Sequence, residues 1–245
     1  MILSLNSSLY NLKTCKKINI NNPISNTQNG ENLKQINSHE FGCYLNLNFY
    51  GMYHFLNKEK LKNLGIPNLQ FIENNSVRGE SLAHKRNIGY LSEIKASGIE
   101  QIIDLKTSDY SNKFKNKVES NGMTYFHFPI DAEKTPTRYI IEQLPAFFEK
   151  INKGKFYIAC AQGLHRTDIA LSINYLFNKD AGDIPPILYG HRRQNGLRCD
   201  DIFKRCNSIF ASLTSSDREK LGLTEYTVED YKKRKRKLML FNEGK

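Results

Sequence analysis

One short stretch constrains the rest of this chain: Tyr157-Ile-Ala-Cys160-Ala-Gln-Gly163-Leu-His-Arg166-Thr167. An apolar run from Phe156 to Ala159 delivers a cysteine. Five residues separate Cys160 from Arg166. Thr167 then opens a run with Ile169, Ala170, Ile173, Leu176 and Phe177 at helical spacing. The local reading is a strand, a tight loop and a helix N-terminus.

That order makes a site for an anion. Backbone N–H groups at a helix start lack intrahelical partners, and the helix dipole favours negative charge beside them. Successive N–H groups in a tight loop form a concave nest for oxyanions. Gly163 relaxes the backbone where the loop must turn. Arg166 offers a planar fork that can hold two phosphate oxygens. The same field favours a thiolate at Cys160, and a thiolate aimed at a bound phosphate is a nucleophile with its target in place. The competing reading is a structural cysteine followed by an incidental loop. Cysteine, glycine and arginine each fall where the chemistry needs them, and that favours the site.

Other strand and helix patterns surround this unit. Residues 1–40 hold nine Asn and five Ser, with no acidic residue before Glu31. They read as a poorly ordered polar leader. No basic n-region leads them, so a secretory signal peptide is not expected. An acid-poor Ser/Asn-rich start is similar to the export signals of bacterial effectors, and equally to a plain disordered leader. Phe41 to Leu56 is aromatic and partly alternating, compatible with one or two strands. A turn at Gly65-Ile-Pro67 and a short strand from Leu69 to Ile72 follow. Ser76 to Glu80 reads as a turn feeding a helix that carries Leu82, Ile88, Leu91 and Ile94 and stops at Gly98.

Ile99 to Leu105 is a compact apolar strand, Ser111 to Ser120 a polar helix, and Met123 to Pro129 a strand. Thr137 is placed to cap a helix whose apolar face is Ile140, Ile141, Leu144, Phe147, Phe148 and Ile151, with a kink expected at Pro145. Beyond the loop the pattern is all-helical, with a break at 181–186 and helices over Ile187–Gln194, Asp200–Leu213 and Thr227–Phe241. Strands alternating with helices predict an α/β fold: a central, mostly parallel sheet flanked by helices, with an all-helical C-terminal half. Such sheets place ligands at the carboxyl ends of their strands. Three regions are expected: a leader over 1–40, a catalytic domain over 41–215, and a C-terminal helix with a basic tail over 216–245.

Composition narrows the class. No run approaches the roughly 18 apolar residues of a membrane span. Five cysteines (15, 43, 160, 199 and 206) show no Cys-x2-Cys pair, so neither a disulfide framework nor a zinc site is indicated. A working thiolate implies a reducing, cytoplasmic setting, either the producing cell's own or a host cell's if the leader is an export signal. Net charge is +11, and Lys232–Lys237 (KKRKRK) alone supplies six of those charges. This cluster reads either as a solvated helix face or as a patch for an anionic membrane surface. Nucleic acid is the less favoured partner.

The stretch CAQGLHRT resembles the Cys-x5-Arg-Ser/Thr phosphate loop of the cysteine-dependent protein tyrosine phosphatase superfamily, most of all its compact dual-specificity and bacterial branches. The segments "SVRGESL…GIEQIIDLK" and "HRRQNGLRCDDIF" are softer similarities to the lead-in and rear helix pair of that family. The resemblance implies a phosphatase-like fold and hydrolysis of phosphate monoesters through a cysteinyl-phosphate, with no metal or cofactor. It implies Cys160 as nucleophile and Arg166 as phosphate clamp. Ala161, Gln162, Gly163, Leu164, His165 and Thr167 would line the substrate. Thr167 has two readings: a hydroxyl donor to the cysteine sulfur, or a plain helix cap.

The family protonates the leaving oxygen with an aspartate on a separate loop roughly thirty residues before the cysteine. Asp131 lies 29 residues upstream, in FPIDAEKTPT, just past a strand. Glu133 is the runner-up, and Asp104 and Asp109 are less apt. One departure stands out. Family members usually carry His immediately before the cysteine, where it helps hold the loop, and this chain has Ala159. The loop's variable positions contain no Lys, which leans toward tyrosine- or dual-specificity phosphoprotein substrates. Phosphoinositide or inositol-phosphate substrates are the alternative, and a phospho-binding pseudophosphatase is a second one. Arg78 and the Arg192–Arg193 pair could reach the pocket, but basic residues on helix surfaces are usually solvated, so all three are left outside the catalytic set.

Overall fold

The computed structural model describes residues 56–73, 75–107, 112–131, 134–189 and 197–243. The polar leader, most of the Phe41–Leu56 stretch, Asp109, Glu133, Arg192 and Arg193 lie outside the described residues.

Five strands form one sheet: β1 (Gln70–Ile72), β2 (Ser76–Glu80), β3 (Gln101–Asp104), β4 (Thr124–His127) and β5 (Phe156–Cys160). Their spatial order is β1-β2-β5-β3-β4. Only the edge strand β1 runs antiparallel to its neighbour; the other three pairings are parallel. Around the sheet stand α1 (Lys58–Asn63), α2 (Leu91–Ala96), α3 (Asn112–Ser120), α4 (Thr137–Asn152), α5 (His165–Phe177), α6 (Leu197–Ser212), α7 (Ser215–Lys220) and α8 (Val228–Glu243). This is the expected α/β sheet with an all-helical region after β5. Among the described residues no helix is long and apolar enough to cross a membrane.

β5 sits at the centre and is buried along its whole length. Alternate side chains of a strand point to opposite faces, and β5 divides its residues accordingly. Tyr157 and Ala159 join the core formed with Leu61, Ile94 and Phe114 of α1, α2 and α3. Phe156, Ile158 and Cys160 join the larger core formed with α4, α5, α6 and α8. Cys160 therefore ends a strand held on both edges and both faces.

Three expectations about local structure are corrected. Ser76–Glu80 is strand β2, not a turn feeding a helix, and all five residues are buried. Its polar side chains hid it from the apolar pattern: Arg78 and Glu80 find their partners inside the protein. The helix after it is shorter than expected. Leu82 lies in a run of turns, Ile88–Tyr90 is a 3-10 turn, and only Leu91–Ala96 is α-helical before Gly98 at φ +99°. Of the stretch Ile187–Gln194, the described residues Ile187–Tyr189 are not helical. Side chains take their backbone groups instead: Leu188 N donates to Asn242, Tyr189 N donates to Asp168, and Ile187 O accepts from Arg78.

Two smaller points differ. Pro136, not Thr137, is the N-cap of α4, and α4 runs through Pro145 as one 16-residue helix. The short α7 was not anticipated. A reciprocal capping box between Thr214 and Asp217 starts it.

Candidate active site

The site begins where β5 ends. Cys160 is opposite Glu80 in the parallel register and is only 4% exposed. The preceding Ala159 is buried in the core on the other face. Its methyl group has no hydrogen bond to give the loop that follows.

The loop is held by a different device. Ala161 O accepts from Ser81 N at 3.3 Å, and Gln162 O accepts from Asn68 Nδ2 at 2.9 Å. Gly163 O accepts from Arg78 Nε at 3.1 Å and Nη2 at 2.8 Å, and Leu164 O accepts from Nη2 at 2.9 Å. Four successive carbonyls are thus taken by one segment, residues 68–81. In a trans peptide the N–H of the next residue points away from the carbonyl. The N–H groups of Gln162, Gly163, Leu164 and His165 are therefore directed away from their carbonyls' partners. Among the described residues the amides of Ala161, Gln162, Gly163 and Leu164 donate no hydrogen bond to the protein, which leaves them available to an anion.

Gly163 makes this arrangement possible twice over. It adopts φ +67°, in the left-handed region that favours glycine. A Cβ at this position would also collide with the backbone of Gly79 in β2.

α5 starts directly beyond the loop, with His165 as its first residue and no side-chain cap on Leu164. Its N-terminal dipole adds to the amides. Arg166 is the second helical residue, and its side chain is 27% exposed. Thr167 is fully buried and is not the cap; among the described residues its hydroxyl has no hydrogen-bond partner, the Cys160 sulfur included. Gln162 is exposed, Ala161, His165 and Arg166 are half-buried, and Leu164 is buried. Two arginines thus differ in what they meet: Arg78 holds loop carbonyls, and Arg166 lies beside Asp131. Arg166 retains access to solvent, whereas Arg78, expected on the surface, is 0% exposed behind the loop.

Asp131 is brought to the same place. Its Oδ2 lies 3.9 Å from Arg166 Nε, with the carboxylate side chain 22% exposed. The loop that carries it is fixed on three sides: Asp131 N donates to Thr135 Oγ1 at 2.8 Å, Asp131 Oδ1 accepts from Lys134 N at 3.0 Å, and Asp131 O accepts from Arg205 Nη2 at 2.8 Å. Arg205 is a buried residue of α6, only 6% exposed. Burial lowers its guanidinium below the ordinary value, against the upward pull of the Asp131 and Cys206 charges. Cys206 beside it is wholly enclosed, and burial pushes its thiol up to about 12. That thiol is inert at neutral pH.

Asp104 is excluded from acid duty by its contacts. It is 3% exposed, accepts from Tyr125 OH at 2.9 Å and turns the chain by accepting from Lys106 N at 3.1 Å. Sequence reasoning missed Arg78, Asn68 and Arg205 as parts of the site. All three act on backbone carbonyls, for which a sequence carries no sign. Among the described residues no group of three or more His, Cys, Asp or Glu side chains is gathered as a metal site would require. A groove of about 450 Å³, lined by Phe71, Phe156, Leu171, Ile184 and Phe241 among others, contains none of the loop residues.

No protein-family model and no curated protein matches the chain. Similar solved structures include a candidate phosphatase of the DUF442 group from Shewanella putrefaciens CN-32, with 15% identity, 62% of this chain and 97% of that chain covered, and a TM-score of 0.45. Another is the core catalytic domain of the PP-IP phosphatase Siw14 from S. cerevisiae, with 16% identity, 72% and 96% coverage, and a TM-score of 0.37. A third is TpbA of P. aeruginosa, with 12% identity, 64% and 92% coverage, and a TM-score of 0.43. The site geometry, not these likenesses, carries the functional reading below.

Proposed function

We propose that the chain is a cysteine-dependent phosphatase that hydrolyses phosphate monoesters through a cysteinyl-phosphate. The observation that carries this reading is the loop itself. Four carbonyls are tied back, the amides are left to an anion, and Cys160 and Arg166 stand at its two ends.

The cycle has two displacements. Cys160 Sγ, as thiolate, attacks phosphorus in line. The loop amides and the Arg166 fork stabilise charge on the three non-bridging oxygens. The P–O bond breaks with its electron pair on the leaving oxygen, and Asp131 supplies that oxygen's proton. A water molecule then attacks the phosphorus, giving its proton to the Asp131 carboxylate. The S–P bond breaks, its electron pair returns to sulfur, and inorganic phosphate leaves. The Thr167 hydroxyl, which has no partner among the described residues, would turn to donate a hydrogen bond to the departing Cys160 thiolate.

The substrate class we favour is phosphoprotein, at tyrosine or with dual specificity. Ala161, Gln162, Leu164 and His165 put no lysine in the loop to select a second phosphate. The test is hydrolysis of para-nitrophenyl phosphate and of phosphotyrosine and phosphoserine peptides. Wild type should turn over the aryl phosphate and at least one peptide class, and Cys160→Ser should abolish both activities. A wild type inactive on every monoester overturns the enzyme reading. A Cys160→Ser protein that retains phosphoinositide vesicles but no phosphopeptide overturns the substrate class.

A further inference from the structure

We propose that Arg78 is a positioning residue of the Cys160–Arg166 loop. It would hold the peptide planes in the anion-accepting orientation before any anion arrives, with Asp168 as its anchor. Only the kinetic arm of the test rests on the phosphatase reading.

Arg78 is 0% exposed on strand β2, directly beside the central strand β5. Its guanidinium is occupied on every side. Nε and Nη2 converge on Gly163 O, Nη2 also reaches Leu164 O, and Nη1 donates to Ile187 O at 3.2 Å. Nη1 also lies 2.6 Å from Asp168 Oδ1, with both side chains fully buried. The Tyr189 ring covers the guanidinium at 5.0 Å. Asp168 belongs to the first turn of α5 and also accepts from Tyr189 N at 3.1 Å. One side chain thus joins β2, the loop, the start of α5 and the Ile187–Tyr189 segment.

A planar fork with several fixed donors can serve two neighbouring carbonyls at once; an ammonium is a point charge without that geometry. The loop needs such a fork. A peptide plane left loose could flip and turn its carbonyl oxygen, rather than its N–H, toward the phosphate. Two of the four planes, those with the Gly163 and Leu164 carbonyls, are locked by Arg78 alone among the side chains. There is no slack between the loop and β2, because even one methyl group on Gly163 would strike Gly79. Ala159 cannot share the task, being an apolar residue packed on the other face. Preorganised amides need no rearrangement as charge builds in the transition state, and that is where they accelerate the reaction.

The test uses the full chain carrying Cys160→Ser, with tungstate as the oxyanion probe. Calorimetry compares this protein with the same protein also carrying Arg78→Lys, with thermal unfolding as the control for a folded state. The expected result is a loss of tungstate affinity of at least about tenfold in a folded protein. Unchanged affinity in that folded variant overturns the proposal. If Arg78→Lys does not fold, ¹⁵N NMR of the Cys160→Ser protein alone decides. The Arg78 Nε–H should be protected from solvent exchange in the anion-free protein, and the loop amides alone should shift strongly on tungstate saturation. An Arg78 Nε–H that exchanges freely without tungstate and becomes protected only with it overturns the proposal. In the active enzyme Arg78→Lys should lower kcat/KM in proportion to the affinity loss. A Cys160→Ser protein that binds tungstate and loses it with Arg78→Lys, beside a wild type that hydrolyses no monoester, sinks the phosphatase reading and leaves the positioning role standing.

Discussion

Gly163 shows how tightly a single residue is specified here. It needs a positive φ and also lacks room for a Cβ against Gly79. Gly163→Ala should lower kcat/KM on an aryl phosphate by about 100-fold or more, the size of loss that a misplacement of about 1 Å brings. Activity within a few-fold of wild type would show that the loop can shift to take the methyl group. Asp131 makes a different demand, since its role depends on the leaving group. Asp131→Asn should slow poor leaving groups by a share of the ~10²–10⁴-fold a positioned acid contributes, and good ones far less. Equal rates on both would move the role to Glu133. Arg205 holds the Asp131 carbonyl, so Arg205→Met should reproduce the same leaving-group dependence in weaker form. Loss of stability alone, with unaltered leaving-group dependence, would reduce Arg205 to a core residue.

At the scale of elements, the strand–loop–helix unit was legible and its support was not. The run into Cys160, the five-residue gap, the helix beyond it and the aspartate after β4 that lies beside Arg166 all showed in residue type and spacing. Strand β2 did not. Its sequence, SVRGE, has one apolar side chain, and its polar ones are satisfied by the Phe156 N–H, by the Gly163 and Leu164 carbonyls, or by Arg86 and Asn87. Burial pushes the Glu80 carboxyl up, but the hydrogen bonds from Arg86 and Asn87 outweigh it and hold the group below the ordinary value. Hydropathy reads side chains one at a time, so it cannot see a strand whose polarity is cancelled from elsewhere in the fold. The stretch 187–189 misled for the same reason, since its partners are Asn242, Asp168 and Arg78.

The short α7 offers a pH test at this scale. Asp217 is 4% exposed, closes the capping box and receives Arg138 Nη1 at 2.7 Å and Nη2 at 2.9 Å. Hydrogen bonds from Arg138 and Thr214 hold its carboxyl far below the usual range. A depressed value stabilises the folded state at pH values above the unfolded value of about 3.9, and that stability drains away as pH falls below it. Asp217→Asn should therefore lower Tm at pH 7, and the gap to wild type should narrow as pH falls below about 4. A gap constant across that range would mean that the charge on Asp217 contributes nothing.

For the whole molecule, the decisive fact is how the sheet is clothed. One face carries α1 to α3, while the other carries α4, α5, α6 and α8 over a larger core. α8 is integral to that core through Tyr231, which stacks on Phe210 at 4.4 Å, and through Leu238, which is 0% exposed. Two members of its basic run also turn inward: Arg234 donates to the carbonyls of Tyr175 and Asn178, and Lys235 donates to Asn207. Lys232, Lys233, Arg236 and Lys237 remain on the solvent side. Leu238→Ala should cost about 2–5 kcal/mol in denaturant unfolding, the usual range for a buried leucine. A cost below 1 kcal/mol would show that α8 only rests on the domain.

The central claim is that the Cys160 sulfur carries the phosphoryl group during turnover. The most direct measurement is rapid acid quench of the Asp131→Asn enzyme during hydrolysis of an aryl phosphate, followed by peptide mass spectrometry. One phosphoryl group is expected on the peptide that contains Cys160, and none when Cys160 is Ser. Continued hydrolysis with that peptide never modified, or hydrolysis that survives Cys160→Ser, would contradict it.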